Sequence, residues 1–206
     1  MKTLRTLLIG TAALILAASA YAQPAPGAKP ATGTPPAGAA KAKHFPPGDT
    51  HIYITTAEAM QFQLKASEKL RWKMKDGSPD VLELAVKINK EITDLYTPGV
   101  TMAQEHGVPG NTDKKPKSGT IPNDITVADR AALTRVDSMN KDDKKWLVAI
   151  FELLAKETKK NAAAAEKAVA TVQDPDLKAF VEKAAALLKS EAETTEAKFK
   201  EVKTRK

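Results

Sequence analysis

The sequence predicts an all-α protein, a four-helix bundle built from two helix hairpins that are joined by a longer crossover loop. Three observations support this fold class. Apolar residues recur every three to four positions in four long segments, which is the spacing of one helix face. No stretch alternates convincingly between apolar and polar residues as a half-buried strand does. Two segments, SPDVLEL from Ser78 and DPDLKAF from Asp174, open with the same residue pattern.

The shared opening is typical of a helix start. Proline is favoured at the first helical position because the N–H that it lacks would have no intrahelical partner there. The Ser or Asp before it can cap free backbone N–H groups, and the Asp after it complements the positive end of the helix dipole. Pro79 and Pro175 are therefore predicted to begin the second helix of each hairpin.

The first hairpin is predicted to begin at Thr55, because Thr55 and Glu58 have the spacing of a capping box. Its first helix is predicted to end at Asp76-Gly77. Its second helix is expected to kink or restart near Thr97, since Pro98 inside a helix removes a hydrogen bond and clashes with the preceding turn. Gly107 is predicted to cap the C-terminal end of this helix.

The second hairpin follows a segment without an apolar stripe. Residues 108–125 are rich in Pro, Gly, Asn and Lys, which predicts the crossover loop. Thr126 is predicted to cap a short extra helix at 127–138, and Asn140 to cap a long helix. The last helix of the bundle is predicted to run from Pro175 towards the end of the chain.

The first 22 residues have the pattern of an export signal. Lys2 and Arg5 precede an apolar run from Leu7 to Ala18, and Ala20-Tyr21-Ala22 is a small-x-small cleavage sequence. The apolar run is short for a membrane span, although a retained anchor is the alternative. We therefore expect an exported protein of the periplasm or cell envelope, or a secreted protein, with no transmembrane span after signal removal.

The rest of the chain is predicted to contain a linker and one domain. Residues 23–49 are nearly all Pro, Ala, Gly and Lys, a composition that predicts a disordered linker because little apolar surface can be buried. Residues 50–206 are predicted to form the helical bundle domain. About 150 residues are enough for a core that is stable alone.

Composition excludes several kinds of chemistry. The chain has no cysteine, which excludes disulfides, thiol catalysis and thiolate metal sites. The net charge of +7 falls to +3 for residues 50–206, which carry 27 basic and 24 acidic groups. The two signs are mixed along every predicted helix, whereas nucleic-acid-binding proteins concentrate cations on one face. We therefore expect no nucleic acid as a partner.

The sequence contains no recognisable motif of a catalytic or metal-binding site. A di-iron bundle needs two Glu-x-x-His motifs on facing helices, and no Glu in this chain has His three residues later. His44 lies in the predicted linker and His51 before the first predicted helix. His106 and Glu105 are neighbours in sequence, so they do not face each other on a helix. We therefore predict a non-enzyme with no cofactor, and expect Trp72 and Trp146 to be packing residues of the core or its edge.

Three polar residues interrupt apolar stripes of the predicted helices. They are Glu157 and Asn161 on the long helix and Glu191 on the last one. A carboxylate that faces a core must pair, take up a proton or bind an ion. Glu157, Asn161 and Glu191 are therefore the candidate polar core cluster. The alternative is that they reach solvent or pair with lysines such as Lys160.

Several short motifs occur together between residues 52 and 203. They are the segment Pro79, Asp80, Val81, the step Leu84-Ala85, the closing Gly107-Val108 and the opening Asp174–Phe180. In this combination the chain resembles a family of exported bacterial proteins with a domain of unknown function, numbered forty-one forty-two and described as predicted outer membrane proteins. The resemblance implies a ferritin-like bundle and an address in the cell envelope.

The chain departs from this family at three positions. Family members commonly carry a histidine on the second, third and fourth helices. The corresponding positions here are Ile92, a residue within 154–158, and Glu191, and none is a histidine. If those histidines bind metal in the relatives, the resemblance implies that this chain does not bind metal in the same way.

We therefore expect an exported helical protein that is a non-catalytic binding or structural protein of the bacterial cell envelope. Its partner is expected to be a protein or another envelope component. Two alternatives remain from the sequence. One is an envelope-stress or chaperone-like protein that offers apolar grooves to unfolded clients, and the other is a metal-binding ferritin-like protein.

Overall fold

The computed structural model describes residues 43–74, 78–111, 119–139 and 143–205 of the 206-residue chain. Within these ranges the chain forms five α-helices and no β-strand, so the all-α prediction is confirmed. The predicted signal peptide, the linker up to residue 42 and the predicted cap Asn140 lie outside them. The helices are α1 Asp49–Lys73, α2 Pro79–Glu105, α3 Val127–Met139, α4 Asp143–Val169 and α5 Pro175–Thr204.

Both proline openings begin helices, as predicted. The prolines of the two motifs are the first residues of α2 and α5. The carboxylate of Asp174 accepts hydrogen bonds from the backbone N–H groups of Asp176, at 3.0 Å, and Leu177, at 2.9 Å. Ser78 makes no such side-chain bond. Both prolines therefore occupy the first position of a helix. Of the two openings, only that of α5 also has a side-chain N-cap hydrogen bond.

Two further predicted helix boundaries are confirmed. The short extra helix is α3, and the hydroxyl of Thr126 accepts a hydrogen bond from the N–H of Asp129 at 3.1 Å. Gly107 follows the end of α2 with a φ of +78°, and the next N–H, that of Val108, binds the carbonyl of Ala103 at 2.9 Å. This left-handed glycine is a common way to end a helix.

The predicted start of the first helix is wrong. α1 begins at Asp49, and Thr55 lies inside it, where its hydroxyl donates to the carbonyl of His51 at 3.1 Å. The residues just before α1 are packed as well, because Phe45 is 8% exposed and contributes to the core. Phe45 and Asp49, both within the predicted linker, are therefore buried against the helices.

The second helix does not restart near Thr97, since α2 is continuous through Pro98. Pro98 and Asp94 are both exposed, so water can bind the carbonyl that lacks its intrahelical N–H. The next residue, Gly99, is buried against α5. A Cβ atom at Gly99 would lie only 2.9 Å from Cζ of Phe180, so glycine permits a close approach of the two helices.

The long helices pack in pairs, α1 with α2 and α4 with α5, and further contacts join α1 to α4 and α2 to α5. α2 and α5 are antiparallel. Asp80, at the start of α2, pairs with Lys198 and Arg205 near the end of α5. At the other end, His106 follows α2 and lies 3.3 Å from Asp174, which precedes α5.

The core consists of two groups of buried side chains. One contains Tyr53 and Met60 of α1 with residues of α2, α4 and α5. The other surrounds Trp146 and Phe151 of α4. The buried residues of α2 are Val81, Ala85, Ile88, Ile92, Gly99 and Ala103.

No helix within the described ranges combines the length and the hydropathy that a membrane span requires.

Candidate functional site

Glu191 is buried in α5, with 3% of its surface exposed. Neither of its carboxylate oxygens has a hydrogen-bond partner among the described residues. Burial, and secondarily the charge of Glu91, raises the pKa of the Glu191 carboxyl group to about 8, against the opposing effect of Lys87. Because the surroundings disfavour a charge, the buried group carries a proton below that pH.

Glu157 and Asn161 lie in a different environment. Both are half-buried on α4, and they line a groove together with residues of α1 and α3. Glu157 pairs with Lys160 at 3.2 Å. The charged residues that influence Glu191 belong instead to α2. The structure therefore places Glu157 and Asn161 in one groove, while Glu191 lies in the interior facing α2.

A buried polar contact between α1 and α4 involves residues that the sequence analysis did not select together. Gln63 and Thr158 are fully buried, and the side-chain amide of Gln63 donates to the hydroxyl of Thr158. Ser67 is also fully buried, and it donates to the carbonyl of Leu64 at 2.9 Å. Gln63 and Ser67 are four residues apart and therefore share a helix face. That spacing is the signal by which the sequence could have indicated them.

The two tryptophans have opposite environments. Trp146 is 2% exposed in the core, as expected, but Trp72 is 78% exposed and the packing role predicted for it is wrong. The buried residues nearest to it are Leu70 in α1 and Met74, which caps the end of α1. Trp72 is two positions from each, so it lies about 200° around the helix from the core-facing side.

Grooves flank Trp72, and with it they form what we call the Trp72 surface. Charges along the grooves are paired: Lys65 with Glu68 at 3.0 Å, and Lys69 with Asp137. The surface therefore presents one large apolar side chain within a rim of mixed, mutually neutralising charges. The grooves are lined by Lys69, Lys73, Asp137 and Trp146 on one side, and by Lys65, Glu68, Asp124, Ile125, Arg130, Leu133 and Thr134 on the other.

His51, predicted to precede the first helix, lies inside α1, and His106 is buried at the end of α2. His106 is 4% exposed, and its ring stacks on Phe45 with the ring centroids 4.4 Å apart. Its Nε2 atom lies 3.3 Å from a carboxylate oxygen of Asp174 and 3.9 Å from one of Asp176. Its sequence neighbour Glu105 is exposed. The sequence analysis missed this grouping because its members are almost 70 residues apart.

Comparisons with family models, with curated proteins and with solved structures found no match for this chain. The resemblance to the exported family of unknown function therefore remains a prediction from the motifs quoted for it.

Proposed function

We propose that this chain is an exported four-helix bundle protein of the bacterial cell envelope that binds a partner protein through the Trp72 surface and catalyses no reaction. The N-terminal signal pattern supports export, and the ferritin-like resemblance supports the bundle. The observation that carries the binding role is the 78% exposure of Trp72. A tryptophan side chain buries 150–250 Å² when it is covered, so leaving it in water forgoes a large apolar stabilisation.

The surroundings of Trp72 favour a protein as the partner. Binding energy in protein interfaces concentrates in a few residues, tryptophan prominent among them, that sit in a patch with a polar rim. The rim here includes Lys69 paired with Asp137 and Arg130 paired with Asp124. These pairs leave no concentrated positive charge around Trp72, which argues against nucleic acid as the ligand.

The two alternative functions receive less support. Exposed large apolar side chains of the described residues are Trp72, Val86 and Val127, and they belong to three different helices rather than to one client-binding strip. The one cluster of metal-ligand side chains in the described ranges lies at the junction of α2 and α5. A ferritin-like centre would lie between the helices instead.

Site-specific photo-crosslinking in living cells tests the proposal. A photoreactive phenylalanine is placed at position 72 of the full chain, and the matched control carries it at Ala186, which is exposed on α5. We expect a discrete crosslinked product with position 72 and none with position 186. A product of twice the chain mass would identify a second copy as the partner. Equal labelling at both positions, or none at position 72, would contradict the proposal.

A further inference from the structure

Three metal-ligand side chains meet where α2 ends and α5 begins. They are His106, Asp174 and Asp176, which we call the His106 cluster. The Nε2 atom of His106 and one carboxylate oxygen of each Asp all lie within 4.8 Å of one another. The side chain of His106 is 3% exposed and that of Asp174 is 14% exposed, whereas that of Asp176 is 55% exposed. The cluster is therefore closed on the protein side and open to solvent at Asp176.

The orientation of the His106 ring is fixed by two contacts. Its Nδ1 lies 2.9 Å from the carbonyl oxygen of Met102. A carbonyl only accepts hydrogen bonds, so Nδ1 carries the proton and donates. Phe45 stacks on the ring at an interplanar angle of 13°. In the neutral ring Nε2 then has a free lone pair directed towards the two carboxylates, and it makes no hydrogen bond with any described residue.

The two carboxylates have oxygens available for an ion. One oxygen of Asp174, Oδ1, caps α5, and the other, Oδ2, is the atom near His106. The backbone of Asp174 is held by Asp49, whose carboxylate accepts its N–H at 2.7 Å. Oδ2 of Asp176 lies 3.7 Å from Nζ of Lys43, both exposed, so the lysine is the one described cation that faces it. A lone pair opposite two carboxylates favours a positive charge between them, and a metal ion can contact both carboxylates, whereas a proton on Nε2 can be donated to only one at a time.

We propose that the His106 cluster binds one divalent zinc ion, with Nε2 of His106 and Oδ2 of Asp174 and Asp176 as protein ligands. Two ligands about 2.1 Å from a tetrahedral zinc are about 3.4 Å apart, close to the 3.3 Å between Nε2 and Asp174. For Oδ2 of Asp176 to reach the zinc ion as well, this exposed side chain must shift, and the shift breaks its contact with Lys43. Donation from Nδ1 to a backbone carbonyl is the usual outer contact of a zinc-bound histidine.

The nature of the donors favours zinc over other cations. One imidazole nitrogen with two carboxylate oxygens suits zinc, whereas magnesium and calcium prefer oxygen ligands alone. Three protein ligands leave a fourth position, which faces solvent at Asp176 and would be taken by water. This inference is independent of the proposed binding role of Trp72, because the cluster and the Trp72 surface share no residue.

Zinc titration of the full chain tests the inference. The protein is stripped with EDTA, dialysed and titrated with zinc chloride against a fluorescent zinc indicator, and the stoichiometry is measured by elemental analysis. We expect one zinc per chain. Asp176→Asn should weaken binding at least 10-fold, since even outer-contact changes at zinc sites cost about 10–100-fold. Zinc should also raise the melting temperature of the wild type, because it binds the folded state, and this rise should be lost in Asp176→Asn.

Two matched variants separate zinc binding from helix capping. Asp174→Ser removes a ligand but keeps a residue that caps helices as well as Asp does, so it should weaken zinc binding while α5 stays capped. Asp80→Asn changes the corresponding first-turn residue of α2, which pairs with Lys198 and Arg205 and not with a histidine. It should bind zinc like the wild type. No saturable zinc uptake, or equal affinity in Asp176→Asn and Asp174→Ser, would overturn the inference.

Discussion

The carboxylate of Asp49 accepts a hydrogen bond of 2.7 Å from the backbone N–H of Asp174, 125 residues later in the chain. The same carboxylate accepts from the N–H of Gln173 at 3.1 Å, and Asp49 is 1% exposed. Asp174 in turn caps α5. One buried carboxylate thus joins the start of α1 to the turn that precedes α5.

Replacing Asp49 by Asn should lower the free energy of unfolding by about 1–3 kcal/mol, because two buried hydrogen bonds to a charged acceptor become bonds to a neutral one. Both N–H groups donate to the same carboxylate oxygen, so the amide oxygen can still accept from them, but without the negative charge. Urea unfolding followed by circular dichroism measures the change. Asp143→Asn is the control, because its side chain is 75% exposed and pairs with Lys73 at the surface. Equal stability of both variants would contradict this role for Asp49.

Stability should fall as the pH rises from 5 to 8, through Glu191. The native carboxyl group has a pKa of about 8, against 4.5 for the ordinary group. Between these values the unfolded chain releases a proton that the folded chain keeps, so the free energy of unfolding decreases by up to about 1.4 kcal/mol per pH unit. Below pH 4.5 both states are protonated and this penalty is absent.

Glu191→Gln should remove this part of the pH dependence, because glutamine does not ionise, and it should stabilise the protein most at pH 8. Urea unfolding at pH 5, 6.5 and 8 compares it with the wild type. Glu193→Gln, which changes an exposed carboxylate on the same helix, controls for the change in net charge. Parallel pH profiles of the wild type and Glu191→Gln would refute the assignment.

Gly99→Ala should destabilise the protein although alanine is the better helix former. The added Cβ would meet the ring of Phe180, and overpacking of this kind costs about 1–3 kcal/mol. The double variant with Phe180→Leu should recover part of the loss, because a smaller side chain makes room for the methyl group. A double-mutant cycle from urea unfolding measures the coupling. Additive losses would show that the two residues are not in steric contact.

The two tryptophans should differ in their contribution to stability. Trp146→Ala removes a core side chain whose Nε1 donates to Asp137 at 3.0 Å, and should cost about 3–5 kcal/mol. Trp72→Ala should change the free energy of unfolding by no more than about 0.5 kcal/mol, as exposed substitutions do. Thermal and urea unfolding of the two variants provide the comparison. A large loss in Trp72→Ala would mean that the side chain packs on the protein itself.

Helix boundaries with a local chemical cause were predictable from the sequence. The prolines of the two openings, Thr126 and Gly107 act on backbone groups within a few residues, so their patterns indicate the structure directly. The helix start predicted at Thr55 was wrong because a threonine inside a helix can donate to the carbonyl four residues earlier. The spacing of Thr55 to Glu58 then has no capping role. The exposure of Trp72 also follows from the sequence, because it lies about 200° around the helix from the buried Leu70.

Contacts between distant segments were not predictable in the same way. The grouping of His106 with Asp174 depends on α2 and α5 being antiparallel, which the crossover loop decides and the helix patterns do not. The separation of Glu191 from Glu157 depends on the rotation of each helix about its axis. A stripe shows that a residue faces inward, but it does not show which neighbouring helix it faces.

The long separation between Asp49 and Asp174 constrains the order in which parts of the domain can fold. A chain emerges N-terminus first, at about 5–20 residues per second, so the beginning of α1 is made well before its partner turn exists. The hydrogen bonds of Asp49 therefore form only after the segment before α5 has appeared. Phe45 can pack earlier, on His106 at the end of α2, so the start of α1 first contacts α2 and is joined to the turn before α5 only afterwards.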